Sequence, residues 1–75
     1  MTLHEGKMGG WYQVEGINLA DDIARRLQVL GLTIGTKVEV LNRKGGKGAI
    51  IFKVRGTRFA IGGKIADGIL VKEVS

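Results

Sequence analysis

Side chains able to hold a metal or move a proton are few and scattered in this chain. There is one histidine, His4, and no cysteine. The acids are Glu5, Glu15, Asp21, Asp22, Glu39, Asp67 and Glu73. His4 and Glu5 are neighbours, but two ligands in a terminal segment do not form a cage, and His4 is expected to be solvated. Asp21 and Asp22 stand where they would start a helix, because the N-terminal end of the helix dipole favours negative charge. Without cysteine there is no thiolate zinc site, iron–sulfur cluster or disulfide. The sole serine, Ser75, has no Ser–His arrangement to join. Gly45-Gly46-Lys47-Gly48 lacks the Ser or Thr that follows the lysine of a P-loop, and a strand comes next where a P-loop needs a helix. It reads as a hairpin turn. No catalytic constellation is visible, so a protein that binds without catalysis is expected.

Charge says more. The formal net charge is +5. Between Glu39 and Asp67 run Arg43, Lys44, Lys47, Lys53, Arg55, Arg58 and Lys64, with no acid among them. One reading is a solubilising face whose lysines guard strand edges. The other is a docking surface for an acidic protein, a nucleic acid or an anionic membrane. A nucleic-acid barrel would stack bases on aromatics. Only Trp11, Tyr12, Phe52 and Phe59 are available, and the two phenylalanines fall at apolar positions, so nucleic acid is not the expected partner. Trp11 and Tyr12 occupy opposite faces of a regular strand, so one of them should point outward.

At 75 residues the chain makes one domain, and domains near this size bury only about 60% of the surface their unfolded chains expose. The longest apolar run, residues 49–52, is too short to cross a bilayer. No long apolar stretch opens the chain, which argues against a signal peptide and for the cytoplasm.

The elements that must position these residues follow from periodicity and glycine. Thirteen glycines and no proline, mostly between apolar runs, suggest tight turns joining short strands. Trp11–Ile17 reads as a first strand, with a bulge near Glu15-Gly16 so that Val14 and Ile17 both face inward. A helix is expected over residues 19–30, capped by Asn18, with Ile23, Leu27 and Leu30 on one face. Gly31 then falls where a helix stop needs positive φ, and Leu32 where an apolar residue packs back on Leu27. A turn around Gly35 leads to a second strand over residues 37–41, with Val38 and Val40 inward. Residues 49–55 read as a third strand, and Thr57–Ile61, reached through Gly56, as a fourth. Residues 62–66 form a short turn or a single helical turn, and Ile69–Val74 closes the series. Two consequences are expected: Gly31→Val should cost more stability than Gly10→Val, and Arg43, Lys44 and Lys47 should be dispensable for folding.

Four groups of residues, in this order and spacing, resemble the FeoA family of small cytoplasmic accessory proteins of bacterial ferrous-iron uptake. They are Leu3, Gly9, Val14 and Ile17; then Arg26-Leu27, Leu30-Gly31-Leu32, Gly35, Val38 and Val40. The third is Arg55-Gly56-Thr57-Arg58-Phe59-Ala60-Ile61-Gly62, and the last Ala66, Ile69 and Val71. Gly6 departs from the pattern, standing where the family usually has an apolar residue, which predicts a loose N-terminal turn. The glycine- and lysine-rich residues 42–48 also depart from it, since many members carry proline there. The resemblance implies a mainly β fold, a small five-stranded SH3-like barrel with one α-helix packed over one end. It would be a single FeoA-like domain over residues 1–75, with an irregular lead-in over residues 1–10. The implied partner is the FeoB membrane GTPase and permease, which the chain would bind and modulate, reaching the membrane through that partner. Ferrous iron enters only through the family's pathway. Leu70 and Val74 are the expected apolar contacts, Arg55 and Arg58 the orienting charges, and Ile51 a core residue. Two other readings stand beside this one: a basic barrel that binds nucleic acid, and a metal-responsive module related to the terminal domain of iron-dependent repressors.

Overall fold

In the computed structural model, which describes residues 1–43 and 48–74, the alternation of apolar and polar residues becomes five strands and two helices. The strands are β1 (Trp11–Ile17), β2 (Lys37–Arg43), β3 (Ile50–Val54), β4 (Thr57–Ile61) and β5 (Ile69–Val74). The helices are α1 (Asp21–Val29) and α2 (Gly63–Asp67). Every strand pair is antiparallel, in the order β4-β3-β2-β1-β5. The fold is thus the expected barrel-like, mostly β arrangement, with β4 and β5 as unjoined edges. Inward positions recur with period two. Tyr12 and Val14, Val38 and Val40, Ile50, Phe52 and Val54, and Ile69 and Val71 are all buried in one core. Leu27 from α1 and Leu32 beyond it join the same core, with Ile23 packed against it. Phe59 also packs there, its ring centroid 5.9 Å from that of Phe52 across the β3–β4 ladder.

The bulge expected in β1 is present: the β1–β5 register shifts between Val14 and Gly16, leaving Glu15 as the extra residue. A second shift, between Val40 and Asn42, lets β2 run two residues past its expected end at residue 41. The helix is shorter than its periodicity suggests. It starts after Ala20 without a side-chain cap, so Asn18 is not the N-cap. The Asn18 amide instead donates to the Gly68 carbonyl at 2.7 Å, holding the approach to α1 against the end of α2. At the other end Gly31 adopts φ +97°. Its amide donates to Gln28 O, and the Leu32 amide donates to Leu27 O at 2.9 Å, the paired bonds of a left-handed helix stop. Leu30, expected on the core-facing stripe, is the C-cap residue and stays 38% exposed.

The lead-in is irregular but not loose. Leu3–Glu5 form one 3₁₀ turn, Leu3 is fully buried, and Thr2 bridges to Leu70 of β5. Gly9 and Gly10 exchange hydrogen bonds with Val40, and the Lys7 amide donates to the Tyr12 hydroxyl at 2.7 Å. A Cβ on Gly6 would lie 3.0 Å from Val40 Cγ2 and 3.1 Å from the Tyr12 ring, so the position is tight where looseness was expected. The Arg43 guanidinium donates to the Gly6 carbonyl, a contact with the lead-in that an isolated loop side chain would not make. Lys44 and Lys47, like most of the expected Gly45–Gly48 turn, lie outside the described residues.

Close approach, and not only backbone conformation, explains the glycines. At Gly10 a Cβ would meet the Tyr12 ring and hydroxyl at 2.8 Å, so Gly10 is no neutral comparator for Gly31. At Gly68 it would meet Leu19 Cδ2 at 2.3 Å and the Asn18 carbonyl at 2.8 Å. Gly62, by contrast, has open space and ordinary φ. In urea melts, Gly68→Ala is expected to cost roughly 1–3 kcal/mol by overpacking and Gly31→Ala about 1–2 kcal/mol by left-handed strain. Gly62→Ala should stay within about 0.5 kcal/mol.

Candidate functional site: the outer face of the sheet

Each strand that sends apolar residues inward sends another set outward, and the register aligns them. Arg58 on β4 is opposite Lys53 on β3, Lys53 opposite Glu39 on β2, Glu39 opposite Trp11 on β1, and Trp11 opposite Val74 on β5. One row therefore crosses the whole outer face. A parallel row sets Lys37, Gln13 and Lys72 side by side. At the β1 bulge, Leu70 lies opposite Gly16 and remains 43% exposed.

The β3–β4 hairpin carries two features that lower its stability. Its two-residue turn, Arg55-Gly56, has both residues at positive φ, 51° and 81°. That geometry matches the twist of the flanking strands, but it is unfavourable for any residue with a Cβ. Arginine occupies a place suited to asparagine. Lys53 and Arg58 then stand directly opposite one another on the exposed side, where like charges repel, with Glu39 on the other side of Lys53 offsetting part of that repulsion. Lys53 was not among the expected contact residues. The signal that identifies it is cross-strand register, which sequence spacing alone does not supply.

The four expected contact residues fall into two groups. Arg55 and Arg58 belong to the hairpin at one edge; Leu70 and Val74 belong to β5 at the other. Measured along the sheet, Arg58 and Val74 are four strand spacings apart, about 19 Å. Between them stands Trp11, 46% exposed, while Tyr12 turns inward and is fully buried. Val74 is half-buried, and Ile51, expected in the core, is half-buried on the outer side opposite Ala60. Of the four aromatics, Tyr12 and Phe52 are buried and Phe59 packs on the core, so Trp11 alone stands open on this face.

His4 does not behave as a solvated terminal residue. Its Nδ1 lies 2.9 Å from Asp67 Oδ1, and its ring packs over Gly63, where an added Cβ would come within 3.3 Å. Glu5 turns away to accept the Thr2 amide at 2.7 Å. The expected His4–Glu5 neighbours thus serve two different structural contacts, tying the lead-in to α2 and to itself. Among the described residues no three potential ligands gather at one point.

Fold and surface together define a small barrel-like β domain with a cationic hairpin and an exposed indole on one face. A family model described as the FeoA domain matches residues 1–73, and the chain belongs to the FeoA family. A crystal structure of an iron uptake regulatory protein, FeoA, is 32% identical with a TM-score of 0.90, covering 99% of this chain and 97% of that one. FeoA of Stenotrophomonas maltophilia, complexed with zinc, is 33% identical with a TM-score of 0.82, covering 96% and 89%. That protein is described as a prokaryotic SH3 domain protein and a candidate ferrous iron transport activating factor. The manganese regulator SloR shares the fold, at 18% identity and a TM-score of 0.84, with this chain matching 34% of its length. A comparison with curated proteins gives no match. Family membership associates the chain with ferrous iron transport. Among the described residues no helix is long and apolar enough to cross a membrane.

Arg55→Asn relieves the turn without disturbing the strands. It is expected to raise stability by up to about 1 kcal/mol, which in a domain this small is a Tm gain of roughly 4–8 °C. Thermal melts followed by circular dichroism measure it; an unchanged or lower Tm would show that the arginine side chain stabilises the turn it occupies.

Proposed function

We propose that this chain is a non-catalytic cytoplasmic accessory protein of ferrous-iron uptake that docks on a FeoB-like membrane GTPase and modulates it. The observation that carries the reading is the β3–β4 hairpin. Arginine at positive φ and a like-charged Lys53–Arg58 pair are both unfavourable to folding, and both add to one cationic surface. Sites that lower stability in the free protein are expected where a partner supplies the compensating contacts. The docking face extends from that hairpin across Trp11 to the exposed Leu70 on β5. Arg55 and Arg58 orient an acidic partner surface, and Leu70 and Val74 supply apolar contacts.

Charges at the rim of an interface mainly set the association rate and its salt dependence, whereas desolvated apolar anchors set dissociation. Surface plasmon resonance on reconstituted permease, with circular dichroism as the folding control, separates the two. Leu70→Asp is expected to abolish capture while leaving the domain folded. Arg58→Glu should slow association most at low salt. Absence of wild-type binding in every nucleotide state, together with tight salt-sensitive binding to RNA, would overturn the reading in favour of a nucleic-acid barrel.

A further inference from the structure

The corner where α1 meets β2 presents a surface centred on Ile34, which overlaps the proposed permease contacts only at Trp11 and Arg55. Ile34 stands 71% exposed on the turn between Gly31 and Lys37. On one side it borders a shallow groove with Asp21, Arg25 and Gln28 of α1, where the Asp21 carboxylate offsets part of the Arg25 charge. On the other it borders a groove formed by Trp11, Lys37, Arg55 and Gly56, with no carboxylate in its lining. The Arg55 stem runs beside the helix stop, its Cδ 4.0 Å from where a Cβ on Gly31 would sit.

An exposed apolar side chain at the tip of a turn, an indole beside it and cations on both flanks are the elements of a lipid-facing surface. A protein partner would need a cavity to receive Ile34. A bilayer needs none, since acyl chains and headgroups accommodate a protruding side chain. The indole is at home at headgroup level, and Lys or Arg within a Debye length of an anionic leaflet is attracted to its phosphates. We infer that this corner binds an anionic phospholipid surface directly, with Ile34 and Trp11 entering the headgroup region and Arg25, Lys37 and Arg55 facing the phosphates. The contact goes beyond docking on the permease: it would hold the protein at the membrane whether or not the permease is engaged.

Trp11 is the only tryptophan, so its emission reads the contact without a label. The test adds the intact protein to vesicles of phosphatidylcholine containing about one quarter phosphatidylglycerol, and to pure phosphatidylcholine, with no permease present. A blue shift and co-sedimentation are expected with the anionic vesicles alone, both fading as salt rises. Ile34→Asp, at an exposed turn position, should abolish both while leaving the circular dichroism spectrum unchanged. Lys37→Glu should weaken partitioning roughly fivefold or more, whereas Leu70→Asp should leave it unaltered. No response to anionic vesicles at low salt would overturn the inference, as would equal binding to neutral vesicles. Ile34→Asp partitioning like the wild type would overturn it too. Loss of detergent-solubilised permease by Ile34→Asp, with vesicle binding intact, would assign this corner to the protein partner instead. The vesicle result is independent of the permease result, so either reading can fail alone.

Discussion

The helix stop at Gly31 is the constraint on which the arrangement of this domain depends. A residue at φ +97° reverses the chain, and the Leu32 amide closes on Leu27 O. That bond places Leu27 and Leu32 together in the core, which is how the short α1 is attached to the sheet. Four residues later the chain is held again. The Gly35 amide donates to Val14 O at 2.7 Å and the Val14 amide to Thr36 O at 2.9 Å. The turn is therefore pinned to the middle of β1 before β2 begins, and the Trp11–Glu39 register follows from it. Through that register the stop sets which side chains share the outer row, and it leaves Ile34 protruding between two fixed points.

The two faces of the sheet follow opposite rules. Inward residues are apolar at each alternate position, and the one inward phenol, Tyr12, has its hydroxyl bonded by the Lys7 amide. Outward residues include combinations that folding does not favour: arginine in a left-handed turn, lysine facing arginine, and an exposed indole beside a half-buried valine. A domain this small has little stability to give away. The lead-in offsets part of that loss, because Leu3, the Gly9–Val40 bond and the Arg43–Gly6 contact knit residues 1–10 onto β2 and β5.

Local features were legible in the sequence and contacts between distant segments were not. Period-two alternation located all five strands. The odd spacing of Val14 and Ile17 located the β1 bulge, and the Leu-Gly-Leu spacing located the helix stop. These are signals within one or two turns of chain. Asn18 reads as a cap because its side chain suits one, but its backbone is committed to Gly68, fifty positions away, and the helix begins without it. His4 reads as a free terminal side chain until Asp67 is brought beside it. Gly10 and Gly68 resemble ordinary turn glycines, and only the positions of Tyr12 and Leu19 show that neither has room for a methyl group. The candidate site was legible to the same extent. Arg55 and Arg58 stood out by charge and Leu70 by its outward phase, whereas Lys53 and Trp11 acquired their meaning from the register that joins them.

That register also bears on how one small face could serve two contacts. The outer row is a line across the strands, from Arg58 to Val74, and the Ile34 corner lies beside it, with Trp11 common to both and Arg55 in the turn next to the row. Bulges at Glu15 and Leu41 bend β1 and β2, and such bends increase the local twist of a sheet. A twisted outer face does not present its corner and its far edge in one plane. On the proposed reading, Leu70 at the β5 edge and Ile34 at the corner would then meet different surfaces at once, one on a membrane protein and one on the lipid around it.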